Sequence, residues 1–426
     1  MAGKNLQIAS NEKYAEFYTR LSDIEIELAH YTKHFKGKTV LCNCDDPFES
    51  NFPLYFLMNF NYLGLKRLIS IGYSGSTIAN TKLVENGVYC LDISDTKPYL
   101  QGDQTDLDAD AIFRMLETEE GCIHIIHDED NYLAGDFRSE TSKKFLEQAD
   151  IVVGNPPFPL FREYFKMLQD YKKKFLIIGN MNAITYKEFF PYLKNNEVWA
   201  GATNFNTGMY FYVNDTFQYR KSYKFLKELD GRPVNRVPAT AWYTNLDYTD
   251  RHELLRLGSV YKGHESEYPT YDNYDAIDIG KYDKNGKRIG DASRIPYDYT
   301  GLMGVPISSL TKICPEQFEI MGLAPERSEQ MTYKTFQYLN GVEHHKDGST
   351  KSGNKVNDGP CLLYKDAPPK KYPWYTADNR EGYIQELYAR ILIKAKQPGR
   401  NDWDAWQREI DENTKEISYE NNTNAI

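Results

Sequence analysis

The chain has 426 residues, 41% hydrophobic and 26% charged, enough for two domains with buried cores and too apolar for a disordered polymer. A formal charge of −10 excludes indiscriminate coating of nucleic acid, whereas sequence-specific binding depends on where the charges lie. No apolar run approaches the roughly 18–20 residues of a membrane span. The polar start MAGKNLQIASNEKY has no signal-peptide core, so a cytoplasmic protein without membrane contact is expected.

In chain order, Ile24, Leu28, Tyr31 and Phe35 recur at helical spacing, with Ser22 or Asp23 placed to cap the helix. The strand TVLCNC follows, closed by Asp45, Asp46 and Pro47, then a helix containing Leu54 to Phe60 and a second strand in LKRLISIGY. GVYCLDI (87–93) reads as an inserted hairpin strand, and CIHIIHD and DIVVGN as two more strands. The helical stretch FREYFKMLQDYKKK ends in an exposed lysine run and leads into the strand KFLIIGN. MYFYV and FQYRKSYKF have the aromatic crowding of antiparallel strands at the end of a sheet. This alternation of helices with short β-rich runs predicts an α/β, doubly wound sheet. Beyond about residue 250 Tyr, Asp and Gly punctuate an irregular region, and 344–359 (HHKDGSTKSGNKVNDG) reads as an exposed flexible loop. A boundary at 245–255 divides the chain into 1–250 and 251–426.

Cys42 and Cys44 alternate on one strand, a spacing that suits neither a disulfide nor zinc, and His344 and His345 have no cysteines nearby. A reduced protein without a metal is expected.

The segment that carries chemistry is DIVVGNPPFPLF, residues 150–161. An apolar strand runs into Asn155, Pro156, Pro157 and Phe158, and two consecutive prolines make a rigid turn that presents carbonyl oxygens and lacks two amide donors. An exocyclic amino nitrogen of adenine is a poor nucleophile because its lone pair is delocalised into the ring. The Asn155 side-chain oxygen and the Pro156 carbonyl are each able to accept one of its hydrogens. Together they orient the lone pair toward an incoming methyl group while Phe158 stacks on the ring. The competing reading is a strand-terminating turn with a core phenylalanine. A base attacked in this way must leave the duplex. The methyl donor then belongs at the carboxyl ends of the first strands, where Asp45 and Asp46 are placed to bind its amino group or to cap the next helix.

Taken together, EFYTRLSDIEIELAHY, HFKGKTVLCNCDDPFESNF, GDFRSE, ADIVVGNPPFPLFREY, RIPYDYTGLMGVPISSL and CPEQFEIMG, spread over roughly residues 10–400, resemble the EcoRI-type adenine-specific DNA methyltransferases. The resemblance implies a Rossmann-like doubly wound methyltransferase sheet in 1–250 that binds S-adenosylmethionine, with an α+β target-recognition region in 251–426. It implies that Phe17, Tyr18 and Thr19 close over the methionine part of the cofactor, and that Asn43, Cys44, Asp45, Asp46 and Pro47 form the cofactor loop. Asp136 and Phe137 then contact the cofactor's adenine, and Asn155, Pro156, Pro157 and Phe158 form the catalytic motif. Two features depart from the wider methyltransferase pattern. The first strand has CNCDDP instead of a Gly-rich loop, and the second, LISIGYS, lacks the acid that usually holds the ribose hydroxyls. Tyr73 and Asp92 are the available substitutes.

Double-stranded DNA is the expected partner, with the protein associated with the nucleoid when bound. Residues 361–400 contain eight Lys/Arg against four acids, whereas 401–426 carry seven acids against two bases. In APPKKYPWYTADNR, Lys370, Lys371 and Arg380 are suited to phosphate contact beside Trp374; the alternative is a solvated basic loop around one buried Trp. Competing functions are methylation of protein glutamine or ribosomal RNA, a cytosine-amino methyltransferase, and a catalytically silent DNA-binding protein. No nuclease constellation is present in the sequence. A monomeric modification enzyme is expected, acting alone or beside a separate cognate restriction endonuclease.

Overall fold

The computed structural model describes residues 18–74, 87–95, 122–127, 131–203, 207–212, 225–229, 232–280, 294–325 and 333–423. Phe17 and nearly all of FQYRKSYKF lie outside them. The chain divides into two compact units, one formed by 1–189 with 198–248 and the other by 190–197 with 249–426.

The first unit is built on an eight-stranded mixed sheet. Its strands are β2 (Thr39–Cys42), β3 (Arg67–Ile71), β4 (Val88–Ser94), β5 (Ile123–Ile126), β6 (Ile151–Gly154), β7 (Lys174–Asn180), β8 (Trp199–Ala200) and β12 (Thr240–Thr244), ordered β5-β4-β3-β2-β6-β7-β12-β8. The central four are parallel, with Leu41 opposite Ile69 on one side and Val152 on the other, and Val153 opposite Leu176. These are the short, fully buried apolar runs that a parallel sheet requires. β4 pairs antiparallel with β3, as the expected inserted strand, and β12 antiparallel with β7. A smaller antiparallel sheet joins β1 (Tyr18–Thr19), β9 (Met209–Tyr212), β11 (Arg232–Val237) and β10 (Phe225–Leu229) in the order β1-β9-β11-β10.

Helices Leu21–Leu28, Asn51–Met58, Glu140–Gln148 and Phe161–Asp170 accompany the large sheet. Ser22 and Asp23 lie inside the first of these. Its N-cap is Arg20, whose guanidinium binds the Asp23 carboxylate at 2.7 Å, so the acid serves the first turn from within instead of capping it. Ile24, Leu28, Tyr31 and Phe35 are fully buried, as the periodicity predicts, in one core with Phe52, Phe56 and Trp242.

The second unit contains two sheets. One orders β13 (Ile277–Asp278), β14 (Met303–Pro306), β21 (Arg390–Ala395) and β15 (Phe318–Ala324). The other is antiparallel and orders β17 (Thr350–Ser352), β16 (Val342–His344), β19 (Trp374–Ala377), β20 (Arg380–Glu386) and β18 (Cys361–Tyr364). Helix Trp403–Thr423 follows. The stretch 344–359, expected to be a flexible loop, is a β-hairpin from β16 to β17 followed by a short 3-10 helix. Its turn is Asp347-Gly348, with Gly348 at φ +81° and the Ser349 carbonyl accepting from the His345 N–H at 2.9 Å. The Asp-Gly turn signal outweighed the polar composition. Among the described residues no helix is long and apolar enough to cross a membrane.

Candidate active site

Because β3, β2 and β6 run parallel as neighbours, the segments leaving their carboxyl ends converge, the usual position for a ligand in an open α/β sheet. They form a cleft lined by Asn43, Cys44, Asp45 and Asp46 after β2, Tyr73 after β3, and Asn155, Pro156, Pro157, Phe158 and Leu160 after β6. Tyr18, Gly135, Asp136 and Phe137 complete it. Eleven of the fourteen cofactor and catalytic positions singled out in the sequence therefore share one cleft. Thr19 and Pro47 are buried beside it without lining it, and Phe17 lies outside the described residues.

The acids are held by neighbours both near and distant in sequence. Asp45 Oδ1 accepts from the Ser50 hydroxyl at 2.8 Å, and Ser50 in turn caps helix Asn51–Met58 by accepting from the Phe52 N–H. The Asp45 carbonyl accepts from the Ser70 hydroxyl at 2.6 Å, and Asp45 Oδ2 faces the Asn155 N–H at 3.4 Å. A Cβ at Gly154 would stand 2.2 Å from that Oδ2. Asp46 Oδ1 accepts from the Phe48 and Glu49 N–H groups at 2.9 and 3.2 Å, a local turn before the helix; the cap of helix Asn51–Met58 is Ser50, so neither aspartate caps it as the alternative reading expected. Burial pushes the Asp46 carboxyl above its ordinary value.

Asn43 is buried. Its side-chain oxygen accepts a short hydrogen bond from the Tyr164 hydroxyl, while its amide nitrogen has no partner among the described residues. Tyr164 also packs edge-on against Phe137, with ring centroids 5.1 Å apart. Asp136 is buried and binds Arg138, Oδ2 to Nη2 at 2.8 Å and Oδ1 to Nε and the backbone N–H at 2.9 Å each. Arg138 also lies over Tyr132 and Phe137. Tyr18 donates to Glu49 Oε2 at 2.7 Å, which ties β1 to the loop after Asp46.

The cleft lining thus contains three carboxylates and no Lys, Arg or His side chain; Arg138, outside the lining, neutralises Asp136, so Asp45 and Asp46 supply the negative charge that favours a cationic ligand. The unpartnered buried Asn43 amide nitrogen adds a polar group at the cleft, and Gly154 and Gly72 leave room for the carboxylates of Asp45 and Asp46. Sequence reasoning missed Ser70, Tyr164 and the three glycines 72, 135 and 154, whose partners lie tens of residues away, and also Ser50 and Arg138, whose partners Asp45 and Asp136 are five and two positions away but carry no motif signal.

The described basic candidates sit in the second unit. Lys370 and Lys371 are exposed between β18 and β19, with Lys371 Nζ 5.1 Å over the Tyr388 ring. Arg380 is ion-paired with Asp272 and lies over Phe336. Trp374 stacks on His344 at 4.0 Å.

The profile of the family described as adenine-specific methyltransferase EcoRI matches residues 5–396. The chain belongs to this family. It is therefore an enzyme of the adenine-specific methyltransferase class, as the order of segments around the Asn-Pro-Pro-Phe motif led one to expect. Type II methyltransferase M.EcoRI of Escherichia coli is 40% identical over 320 residues, 75% of this chain and 88% of the relative. Type II methyltransferase M.MpnI of Mycoplasma pneumoniae is 34% identical over 350 residues, 82% of this chain and 94% of the relative. Type II methyltransferase M.MgeORF184P of Mycoplasma genitalium is 33% identical over 314 residues, 74% and 84%. No solved structure gives a match.

Proposed function

We propose that the protein is a site-specific DNA methyltransferase that transfers the methyl group of S-adenosylmethionine to N6 of a flipped-out adenine. The observation that carries this reading is the meeting of Asn155–Phe158 and three carboxylates in one cleft at the carboxyl ends of parallel strands. Bound there, S-adenosylmethionine supplies an electrophilic methyl group. The Asn155 side-chain oxygen and the Pro156 carbonyl accept the two amino hydrogens of adenine, hold its lone pair in line and stabilise the positive charge that develops on nitrogen. Phe158 stacks on the base. Asp45 and Asp46 hold cationic and hydroxyl groups of the donor, Asp136 and Phe137 its adenine, and Tyr18 its methionine end.

The sheet of 1–250 serves as a Rossmann-like, doubly wound catalytic domain, and 251–426 as an α+β target-recognition region. There Lys370 and Lys371 meet phosphates, as does Arg380 with the part of its charge that Asp272 does not neutralise. A monomer acting in the cytoplasm on nucleoid DNA, beside a separate endonuclease or alone, fits this assignment. The test is expression in a host lacking adenine methylation, with modified adenines mapped by single-molecule sequencing. Methylation at one short motif, absent with Asn155→Ala, is the expected result. Unmarked DNA from soluble, cofactor-binding protein would remove the proposal.

A further inference from the structure

β3 ends at Ile71 and continues through Gly72 and Tyr73 without an acid, although nucleotide-binding sheets commonly take the ribose hydroxyls on a carboxylate beyond the first strand. Of the two substitutes the sequence offers, Asp92 is engaged elsewhere. It lies on β4 and accepts from Arg67 Nε and Nη2 at 2.7 and 2.6 Å, and it does not line the cleft. Tyr73 does line it but carries no charge.

The tip of β3 nevertheless has a carboxylate, delivered from the neighbouring strand's loop. Asp46 Oδ2 lies against Gly72, 2.7 Å from where a Cβ would stand, so any larger residue at 72 would displace it. The other oxygen is fixed by two backbone N–H groups, and Asp46 has no cationic partner among the described residues. Its place along the cleft is intermediate. Asp45 adjoins Asn155 and Gly154 at the methyl-transfer end. Gly72 adjoins Gly135 at the other end, a Cβ there falling 1.9 Å from the Gly72 carbonyl oxygen, and Gly135 leads into Asp136 and Phe137. In a nucleoside whose sulfur end meets the first group and whose base meets the last, the sugar lies between.

We propose that Asp46 accepts the hydrogen bonds of the cofactor's ribose hydroxyls, supplying from the loop after β2 the acid that β3 lacks, and that Asp45 alone serves the donor's ammonium end. This rests on the methyl-donor reading above and divides a pair that the sequence assigned jointly to the amino group.

The test is calorimetric binding of S-adenosylhomocysteine and its 2′,3′-dideoxy analogue to wild type, Asp46→Asn and Asp45→Asn. Asparagine keeps an oxygen for the Phe48 and Glu49 N–H groups, and any unfolded fraction scales both affinities alike, so the ratio within one variant is robust. Wild type is expected to favour the hydroxylated ligand by about 10–100-fold, the strength of hydrogen bonds to a charged acceptor. Asp46→Asn should lose most of that preference, whereas Asp45→Asn should weaken both ligands and keep it. An Asp46→Asn protein that retains the preference, or loses both ligands equally, overturns the assignment while leaving cofactor binding intact. Wild type that binds neither ligand overturns the methyl-donor reading as well.

Discussion

Gly135→Ala puts the construction of the cleft to a quantitative test. Gly135 has φ +78°, and a Cβ there would lie 1.9 Å from the Gly72 carbonyl oxygen and 3.0 Å from Val88 Cγ1. The left-handed backbone costs an L-residue about 1–2 kcal/mol, and overpacking against a backbone atom that cannot rotate away adds about 1–3 kcal/mol. The two segments are otherwise joined by the Ser74 N–H donating to the Ala134 carbonyl at 3.0 Å, so relief requires them to part and the cleft to open. If at least 2 kcal/mol of this appears as loss of the binding-competent shape, affinity for S-adenosylhomocysteine falls about 30-fold or more. Gly37→Ala is the matched control, with φ +69° and no atom within 4 Å of the new Cβ. It should lose about 1–2 kcal/mol of stability and no affinity. Calorimetric binding and urea denaturation of both variants decide the matter. A Gly135→Ala protein that binds within about threefold of wild type would refute the claim that contact between these segments shapes the cleft.

Three further outcomes follow from the same geometry. Burial holds the Asp46 carboxyl above its usual value, so between its unfolded and folded values the native state binds the extra proton and stability falls as pH rises. Ligand that needs the carboxylate must displace that proton. Affinity for S-adenosylhomocysteine should therefore weaken as pH falls through the raised value and level off above it, and Asp46→Asn should flatten the profile. Tyr164→Phe removes the donor to the buried Asn43 oxygen and should cost about 1–3 kcal/mol in denaturant unfolding; an unchanged midpoint would mean that this bond contributes nothing. Reversing both Lys370 and Lys371 to Glu should weaken DNA binding and reduce its dependence on salt, and an unchanged salt slope would remove that face from the DNA contact.

What was legible in the sequence is what a short window contains. TVLC, IVVG and KFLIIGN announce central strands because burial on both faces leaves no polar alternation. The motif Asn155–Phe158 stands out because consecutive prolines after an apolar strand are rare. What was illegible needs partners. Tyr164 meets Asn43 across 121 positions, and Ser70 meets the Asp45 carbonyl across 25. The Asp45 and Asp46 alternatives could not be separated either, since capping and ligand binding use the same carboxylate. The structure gives each acid one oxygen for the local turn or helix cap and sets the other beside a glycine of a different strand end.

That arrangement accounts for the missing Gly-rich loop. In a G-x-G-x-x-G turn the glycines follow the first strand and let the backbone approach the ligand. Here the segment after β2 is Asn43-Cys44-Asp45-Asp46-Pro47, made of side chains that need space, and the glycines stand on the segments around it. Gly154 at the end of β6 leaves room for Asp45, Gly72 after β3 leaves room for Asp46, and Gly135 lets the Asp136 turn approach Gly72. The small residues have moved from the loop to its neighbours, so the ligand-facing surface is carboxylate instead of main-chain amide. Amide N–H groups suit the pyrophosphate of a dinucleotide, whereas carboxylates suit a cation. Restoring glycine to the loop would therefore not improve binding. Asp45→Gly should lose the cofactor despite the added room, and retention of affinity in that variant would show that space, not charge, is what the loop provides.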